Sequence, residues 1–399
     1  MPRRAHSPLA HAPLMPLAEA LRSGSLSLER YVTDVLDRME RLEPALRAFL
    51  PEPGREERVR AAAAALAERC PDPAARPLLY GVLVGVKDII AVDGLPTRAG
   101  SALPPEAFES PEATVVTRLR EAGAIVLGKT VTAEFASAAP GATTNPHDPS
   151  RTPGGSSSGS VAAVAAGIAL LALGSQTGGS VIRPAAYCGI VGFKPSYGRI
   201  PIDGVVYHAP SVDTLGLFAQ DIEGVALAAS VVVDGWLGPP PPPARLVLGV
   251  PDGPYLACAD PDALATFEAT LTRLADAGIE VRRVPFLEDA EEVQRRHSRL
   301  MLAEFAQVHA ARFSRWGALY SGSAATAFDE GAAIPPAEVE AGRAGREELR
   351  ARVAATLDGE GLDAFVCPAA PGPAPRTLRS TGNPVMNAPW THAGVPAIT

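Results

Sequence analysis

The sequence predicts an α/β fold, because segments with the pattern of strands and helices alternate along the chain. Residues 79–90 (LYGVLVGVKDII) form a short apolar, β-branched run that predicts a buried strand ending near Lys87. An amphipathic helix follows, ended by Gly123, and the next strand is predicted over 124–127. The same pattern of strand, helix and strand returns over 245–284. Because a helix between two consecutive strands is typical of parallel strands, we expect a parallel sheet.

The remaining elements follow from helical spacing and from residues that begin or end helices. Ser27 has the properties of an N-cap, and the apolar residues after it recur at helical spacing. Gly167 ends an alanine-rich helix that closes near residue 166. The other predicted elements are helices 27–43, 55–70, 261–277, 288–312 and 337–357, and strands 168–173, 245–250, 279–284 and 363–368.

Composition and charge argue against several classes of partner. The chain has 399 residues, 47% of them apolar and 20% charged, so it can bury a large core. Its net charge of -8 gives no electrostatic footprint for nucleic acid or for an anionic membrane. The four cysteines are far apart and lack CxxC spacing, which argues against disulfide bonds. Prolines interrupt the N-terminal segment, which argues against an export signal. The longest apolar run, 161–173, is too short to span a bilayer. We therefore expect a cytoplasmic protein with reduced thiols.

The segment 152–189 (TPGGSSSGSVAAVAAGIALLALGSQTGGSVIRPAAYCG) is rich in serine and glycine, and each of its Gly/Ser pieces taken alone could be a flexible loop. It contains six serines and eight glycines but no acid, lysine or histidine. A nucleophilic serine in this segment would need a proton acceptor from elsewhere in the chain. Residues 155–159 (GSSSG) match the nucleophile elbow of α/β-hydrolases with Ser157 at the centre, but no strand precedes them. The only late histidine for such a triad is His392, so this interpretation is weak.

Several motifs taken together resemble the amidase signature family. They are PLLYGVLVGVKDI, TPGGSSSGS and GSQTGGSVIRPAAYCG in this order and spacing, together with GSALPPEAFESPEATVVTRLREAGAIVLGKTVTAEFA and PVMNAPWTHAGVPAIT. The resemblance covers most of the chain from about residue 17. It implies a single α/β domain with a large mixed β-sheet surrounded by helices, and a Ser-Ser-Lys catalytic triad.

The resemblance assigns the triad residue by residue. Ser180 in TGGSV matches the nucleophile, Ser156 matches the bridging serine that follows a cis peptide bond, and Lys87 matches the base. A lysine can accept a proton near neutral pH only if its pKa of about 10.4 falls by roughly three units, which burial can achieve. From the residues alone, the favoured interpretation is that Lys87 lies at a strand end and reaches water or pairs with Asp88. Ser156 could also cap the following helix, a role that is compatible with the bridging role.

The turn Thr177, Gly178 and Gly179 is predicted to form the oxyanion hole, because its glycines allow backbone N–H groups to converge. An ordinary glycine turn is the alternative. Residues that could support the site are Ser157, Gln176, Arg183 and Asp213. Many family members carry Asp in place of Gln176 and an arginine two residues after the nucleophile, whereas Arg183 is third. We expect Gln176 to support the loop by hydrogen bonds instead, and Asp213 to line the site or form a structural turn.

The predicted function is hydrolysis of a carboxylic amide through an acyl-enzyme, giving a carboxylate and ammonia or an amine. The alternatives are a glutamine-hydrolysing subunit of a tRNA amidotransferase, against which Gln176 and Arg183 argue, and a noncatalytic binding scaffold. The expected partner is a small-molecule amide, and a homodimer is left open. No cofactor or metal is expected. His147, His208, His297 and His309 lack metal-ligand spacing and are predicted to be loop or surface residues.

The predicted domain covers 1–399 and divides into four parts. These are N-terminal helices 17–75, a catalytic core 76–237, a Pro-rich connection 238–244, and an α/β and helical segment 245–399. The acyl pocket itself cannot be read from the sequence, because its walls are expected at scattered positions in the helical segment 285–345 and near 131–145. Because MNAPWTHAGVPAIT resembles the point where family members continue into further strands, the final strand is expected to lack neighbours.

Overall fold

The computed structural model describes residues 13–137, 139–238, 240–241, 243 and 245–399. Parts of the predicted Pro-rich connection 238–244 lie outside the described residues.

The strands are β1 (Leu83–Lys87), β2 (Ile125–Thr130), β3 (Leu171–Gln176), β4 (Val191–Lys194), β5 (Thr214–Ala219), β6 (Val247–Asp252), β7 (Glu280–Pro285), β8 (Ala364–Phe365) and β9 (Ala397–Ile398). The helices are α1 (Leu14–Ser23), α2 (Leu28–Leu46), α3 (Arg55–Arg69), α4 (Thr114–Glu121), α5 (Ser158–Ala165), α6 (Ile182–Cys188), α7 (Ile222–Val232), α8 (Pro261–Asp276), α9 (Ala290–Trp316), α10 (Gly322–Ala332), α11 (Pro336–Glu360) and α12 (Ala388–His392).

A six-stranded mixed sheet forms the centre of the protein, in the order β2-β1-β3-β5-β4-β9. Strand β1 is parallel to both of its neighbours, β2 and β3, as the sequence predicted. The other pairs in this sheet, from β3 to β9, are antiparallel. The expectation of an α/β fold with a large mixed sheet surrounded by helices is therefore confirmed.

The second predicted unit, 245–284, belongs to a separate three-stranded sheet. Strand β6 lies between β7 and β8 and is parallel to both. Helix α8 connects β6 to β7, and a second hydrophobic cluster that includes Phe267 and Trp390 packs around this sheet. No helix within the described ranges is long and apolar enough to cross a membrane.

Helix α5 is buried along its whole length, which its small residues make possible. It packs against β3, β1 and α6, so its N-terminal end is held at the centre of the molecule. A Cβ atom on Gly159 would lie 2.1 Å from the carbonyl oxygen of Ala48 and 2.4 Å from the backbone nitrogen of Val131. Only glycine allows this approach, and it fixes the position of the serine-rich loop that precedes α5.

The main error in the predicted elements concerns β3. The predicted strand 168–173 begins three residues later and continues to Gln176. Residues 168–170 instead close the end of α5, because the N–H groups of Ile168 and Ala169 donate to the carbonyl oxygen of Ala163. The shift brings Ser175 and Gln176 onto the end of a central strand. The prediction also placed no elements between 182 and 232, where the structure has α6, β4, β5 and α7.

Candidate active site

Three predicted segments meet where β1 and β3 end. Lys87 is the last residue of β1, and Ser156 precedes α5. The Nζ atom of Lys87 donates hydrogen bonds to Ser156 Oγ at 2.7 Å and to Ser175 Oγ at 2.8 Å. Because parallel strands end at the same edge of a sheet, β1 and β3 bring the lysine and the serines together.

Lys87 is completely buried, and its surroundings suit a base. Burial lowers the pKa of Lys87 to about 7, while the negative charge of Asp213 acts in the opposite direction. The alternative partner from the sequence, Asp88, instead forms an ion pair with Lys129 at 3.1 Å. Lys87 therefore neither reaches water nor depends on the adjacent carboxylate.

Ser156 follows a cis peptide bond to Gly155, as the resemblance implied. The N-cap of α5 is Ser157 rather than Ser156, so the hydroxyl of Ser156 is available to Lys87. Arg183 is buried and donates from Nη2 to the carbonyl oxygen of Gly155 at 2.8 Å and from Nε to that of Thr381 at 2.9 Å. Burial lowers the pKa of Arg183 to about 10. Arg183 thus contacts the peptide unit that presents Ser156.

Ser180 lies on the turn between β3 and α6 and is 8% exposed. Within the part of the chain that the structure describes, its hydroxyl has no hydrogen-bond partner. The hydrogen bonds that join Lys87 to Ser156 therefore do not extend to Ser180 in this arrangement. Its hydroxyl is free to rotate.

Gln176 holds both sides of the turn that contains Ser180. Its Oε1 accepts hydrogen bonds from the backbone N–H groups of Val181 at 2.8 Å and Ile182 at 3.0 Å. Its Nε2 donates to Thr391 Oγ1 at 2.9 Å, and the hydroxyl of Thr391 donates to the carbonyl oxygen of Gly178 at 2.6 Å. These contacts agree with the expected hydrogen-bonding role of Gln176, and Thr391 is a supporting residue that the sequence did not reveal.

Asp213 lies on the other side of the same turn. Its Oδ1 accepts a hydrogen bond from Thr177 Oγ1 at 2.6 Å, and its Oδ2 accepts from the N–H groups of His208 at 2.8 Å and Ala209 at 3.0 Å. Burial raises the pKa of Asp213 to about 6, although these hydrogen bonds and Lys87 favour its charged form. Asp213 thus supports the turn and acts electrostatically on Lys87.

Ser175 was missed because the predicted strand ended before it. Its backbone N–H and carbonyl groups both contact the hydroxyl of Ser157 at 3.3 Å, which ties the start of α5 to the end of β3. Its own hydroxyl accepts from Lys87. The alternation of side chains along a strand that continues to Gln176 would have placed Ser175 correctly.

The predicted oxyanion turn presents free backbone donors. Among the described residues, the N–H groups of Gly178 and Gly179 have no hydrogen-bond acceptor. A Cβ atom on Gly179 would lie 2.4 Å from Asn387 Oδ1, so a larger residue at this position would require the side chain of Asn387 to move. Unpaired N–H groups on one short turn can stabilise a developing negative charge.

The prediction for the histidines is wrong for three of the four. His208, His297 and His309 are buried, whereas His147 is exposed. The rings of His208 and His309 pack against Phe305, and the ring of His297 packs against His392. Burial lowers the pKa of His208 and of His297 to about 4 and that of His309 to about 3, so these rings are neutral near pH 7. In the described portion of the chain, no group of three histidine, cysteine or acidic residues could hold a metal ion.

Aromatic residues from the two segments expected to form the acyl pocket lie together near the site. The ring of Phe135, from the segment 131–145, packs against Phe305, His309 and Tyr320. The ring of His208 packs against Phe305, which links this cluster to the loop that contains Asp213. Phe135 itself has a φ of 49°, a backbone conformation that residues other than glycine rarely adopt.

Comparisons with known proteins show the family and the fold of this chain. The family model described as Amidase matches residues 30–399. A glutamyl-tRNA(Gln) amidotransferase subunit from Synechococcus sp. (strain RCC307) is 40% identical over 229 residues, which cover 55% of this chain and 46% of that protein. The chain spans about half the length of the curated relatives it matches.

Solved structures match over nearly the whole chain. A crystal structure of an amidase has a TM-score of 0.86 and 31% identity, and the match covers 97% of this chain and 91% of that one. The peptide amidase from Stenotrophomonas maltophilia has a TM-score of 0.77 and 26% identity, with 98% of this chain and 90% of the other covered.

Proposed function

Because this chain belongs to the amidase family, we propose that it hydrolyses the C–N bond of a carboxylic amide through an acyl-enzyme formed on Ser180. The observation that carries this proposal is the buried Lys87, whose Nζ lies 2.7 Å from Ser156 Oγ. A lysine with a pKa of about 7 is neutral in a useful fraction of molecules near neutral pH. Lys87, which contacts the bridging Ser156, supplies the base that the segment 152–189 lacks.

In the first half of the proposed reaction, Ser180 Oγ attacks the carbonyl carbon of the amide. The proton of Ser180 passes to Ser156, whose own proton passes to neutral Lys87. The N–H groups of Gly178 and Gly179 stabilise the negative oxygen of the tetrahedral intermediate. When the intermediate collapses, the C–N bond breaks and the proton returns along the relay to the leaving nitrogen. The acyl group remains on Ser180.

In the second half, water attacks the acyl-enzyme. Lys87 and Ser156 accept the proton of this water and return it to Ser180 Oγ as the ester bond breaks. The products are a carboxylate and ammonia or an amine. The hydroxyl of Ser180 must turn toward Ser156 for these transfers, and hydrogen bonds at catalytic groups often form only when substrate is bound.

A second candidate function is that of the glutamine-hydrolysing component of a tRNA amidotransferase. It is supported by the 40% identity with the Synechococcus protein, whose name places it in such an enzyme. This function would use the same Ser180, Ser156 and Lys87. Copurification of a partner protein, together with glutamine hydrolysis that depends on that partner, would favour it over an independent amidase.

Labelling with a fluorophosphonate and amide hydrolysis together test the proposed function. We expect the wild type to be labelled at Ser180 and to hydrolyse at least one member of a panel of acyl 4-nitroanilides, simple carboxamides and glutamine. Ser180→Ala should lose both properties while unfolding at the same temperature. If wild-type protein is not labelled and hydrolyses none of these amides, the noncatalytic scaffold is the correct interpretation.

A further inference from the structure

Helix α12 places one hydroxyl directly against the predicted oxyanion turn. Thr391 is 1% exposed, and its Oγ1 lies 2.6 Å from the carbonyl oxygen of Gly178. The same hydroxyl lies 3.1 Å from the carbonyl oxygen of Asn387 within its own helix. Since a threonine hydroxyl has one hydrogen, it can donate fully to only one of these acceptors.

The contact with Gly178 also determines where the next N–H group points. The carbonyl of Gly178 and the N–H of Gly179 belong to one planar trans peptide unit, so they point in opposite directions. Neither Gly178 nor Gly179 has a side chain that would restrict rotation of the peptide plane between them. A hydrogen bond to the carbonyl oxygen therefore holds the N–H in a fixed direction.

Gln176 donates to the hydroxyl of Thr391 and so leaves the hydrogen of that hydroxyl available for the nearer acceptor, the carbonyl oxygen of Gly178. Its Oε1 accepts from the N–H groups of Val181 and Ile182, which leaves Nε2 to donate to Thr391 Oγ1 at 2.9 Å. Because this amide hydrogen occupies a lone pair of the hydroxyl oxygen, the hydroxyl hydrogen is free to point at Gly178. A carboxylate at position 176 could accept the two backbone hydrogen bonds but could not donate to Thr391.

We propose that Thr391 is a positioning residue that, together with Gln176, aims the N–H group of Gly179 at the oxyanion. This inference rests on the proposed function, because the oxyanion forms only if Ser180 attacks an amide. Thr391 itself does not touch the substrate. It acts through the peptide unit between Gly178 and Gly179.

The test compares Thr391→Val with Thr391→Ser. Valine keeps the shape of the side chain but removes the hydroxyl, whereas serine keeps the hydroxyl. We expect kcat for an acyl 4-nitroanilide to fall about tenfold to a hundredfold in the valine variant with KM nearly unchanged, and to recover in the serine variant. If the valine variant does not fold, Thr391→Ala replaces it. The rate of fluorophosphonate labelling should fall in parallel, since the phosphonyl oxygen occupies the same donors.

Thr266→Val is the matched control. Thr266 lies in α8, and its hydroxyl donates to the carbonyl oxygen of Asp262 one turn earlier at 2.9 Å, as a helical threonine outside the proposed site. Its substitution should leave kcat and the rate of labelling unchanged. An active wild type whose Thr391→Val variant keeps full kcat would overturn the positioning role alone. A wild type that is neither labelled nor active would overturn the proposed function, and the positioning role with it.

Discussion

Arg183 donates a hydrogen bond from Nη2 to the carbonyl oxygen of Gly155 at 2.8 Å. Gly155 immediately precedes the bridging serine, Ser156. The sequence left the role of this arginine in doubt, because it lies three residues after Ser180 rather than two. In the structure its guanidinium connects helix α6, which follows the nucleophile, with the loop that presents Ser156. Two of the three predicted catalytic segments are thus joined by one buried side chain.

We predict that Arg183→Lys lowers kcat by about tenfold or more with little change in KM, since an ammonium cannot contact the carbonyl oxygens of Gly155 and Thr381 in the geometry of a guanidinium. Steady-state kinetics on an acyl 4-nitroanilide would measure this. Arg199→Lys is the control, because exposed Arg199 also donates to two carbonyl oxygens, those of Asp234 and Gly235. Equal kinetics in the two variants would contradict a role for Arg183 in the site.

The pH dependence of activity should report the titration of Lys87. Its pKa is lowered to about 7, and only the neutral amine can accept a proton, so kcat/KM should rise with pH through about 7 and then level off. Lys87→Ala should reduce kcat by about 10²–10⁴ for amides, and Lys87→Arg should not restore it.

A 4-nitrophenyl ester provides an internal comparison for Lys87. The 4-nitrophenolate leaves without a proton, whereas an amide nitrogen must be protonated as it leaves. Lys87→Ala should therefore lose more activity on the amide than on the ester of the same acyl group. An unchanged pH profile in Lys87→Ala would show that another group is the base.

The segments that the structure brings together at the proposed site could be predicted from the sequence because each is a short local motif, as with Lys87 in VKDI and Ser180 in TGGSV. The contacts that support them could not, because they join distant parts of the chain. Gln176 and Thr391, for example, are 215 residues apart. Nothing in the composition around Thr391 distinguishes it from another buried threonine, and only the packing of α12 brings its hydroxyl into contact with Gln176 and with the carbonyl oxygen of Gly178.

For the fold too, local sequence patterns located single elements but not their long-range arrangement. Helix spacing located α2, α3, α8, α9 and α11 to within a few residues, since that pattern is local. The beginning of β3 was misplaced because an apolar run does not show where a buried turn ends and a buried strand begins. Likewise, the unit 245–284 was recognised as strand, helix and strand, but the sequence did not reveal that its strands form a separate sheet.

The close packing at Gly159 predicts a large effect on stability. Gly159→Ala would bring a Cβ atom within 2.1 Å of the carbonyl oxygen of Ala48, so the start of α5 or the neighbouring backbone must move. We expect a loss of about 1–3 kcal/mol or more in the free energy of unfolding, measured by urea denaturation. Gly359→Ala is the control, because this exposed glycine in α11 has open space around it. It should leave stability unchanged or raise it by up to about 1 kcal/mol.

Removal of the charge on Asp213 should shift the pH profile toward acid. The carboxylate of Asp213 raises the pKa of Lys87 against the effect of burial, and burial raises the pKa of Asp213 itself to about 6. The rise of activity on the acidic side of the wild-type pH profile, its acidic limb, therefore reports the coupled titration of both groups. In Asp213→Asn the ammonium of Lys87 loses a nearby negative charge, its pKa falls, and the limb moves to lower pH. His208 does not complicate this result, because its pKa of about 4 keeps it neutral over the range of interest.

The same substitution should also reduce the maximal rate and the stability. The Oδ2 atom of Asp213 accepts from two backbone N–H groups, those of His208 and Ala209, and an amide that presents Nδ2 to them would leave both unpaired at about 1–3 kcal/mol each. Glu304→Gln separates the two effects. Glu304 is a buried carboxylate that accepts from Ser211 and Arg343 instead, so its loss should lower stability without moving the acidic limb. An acidic limb that stays in place or moves to higher pH in Asp213→Asn would exclude electrostatic coupling between Asp213 and Lys87.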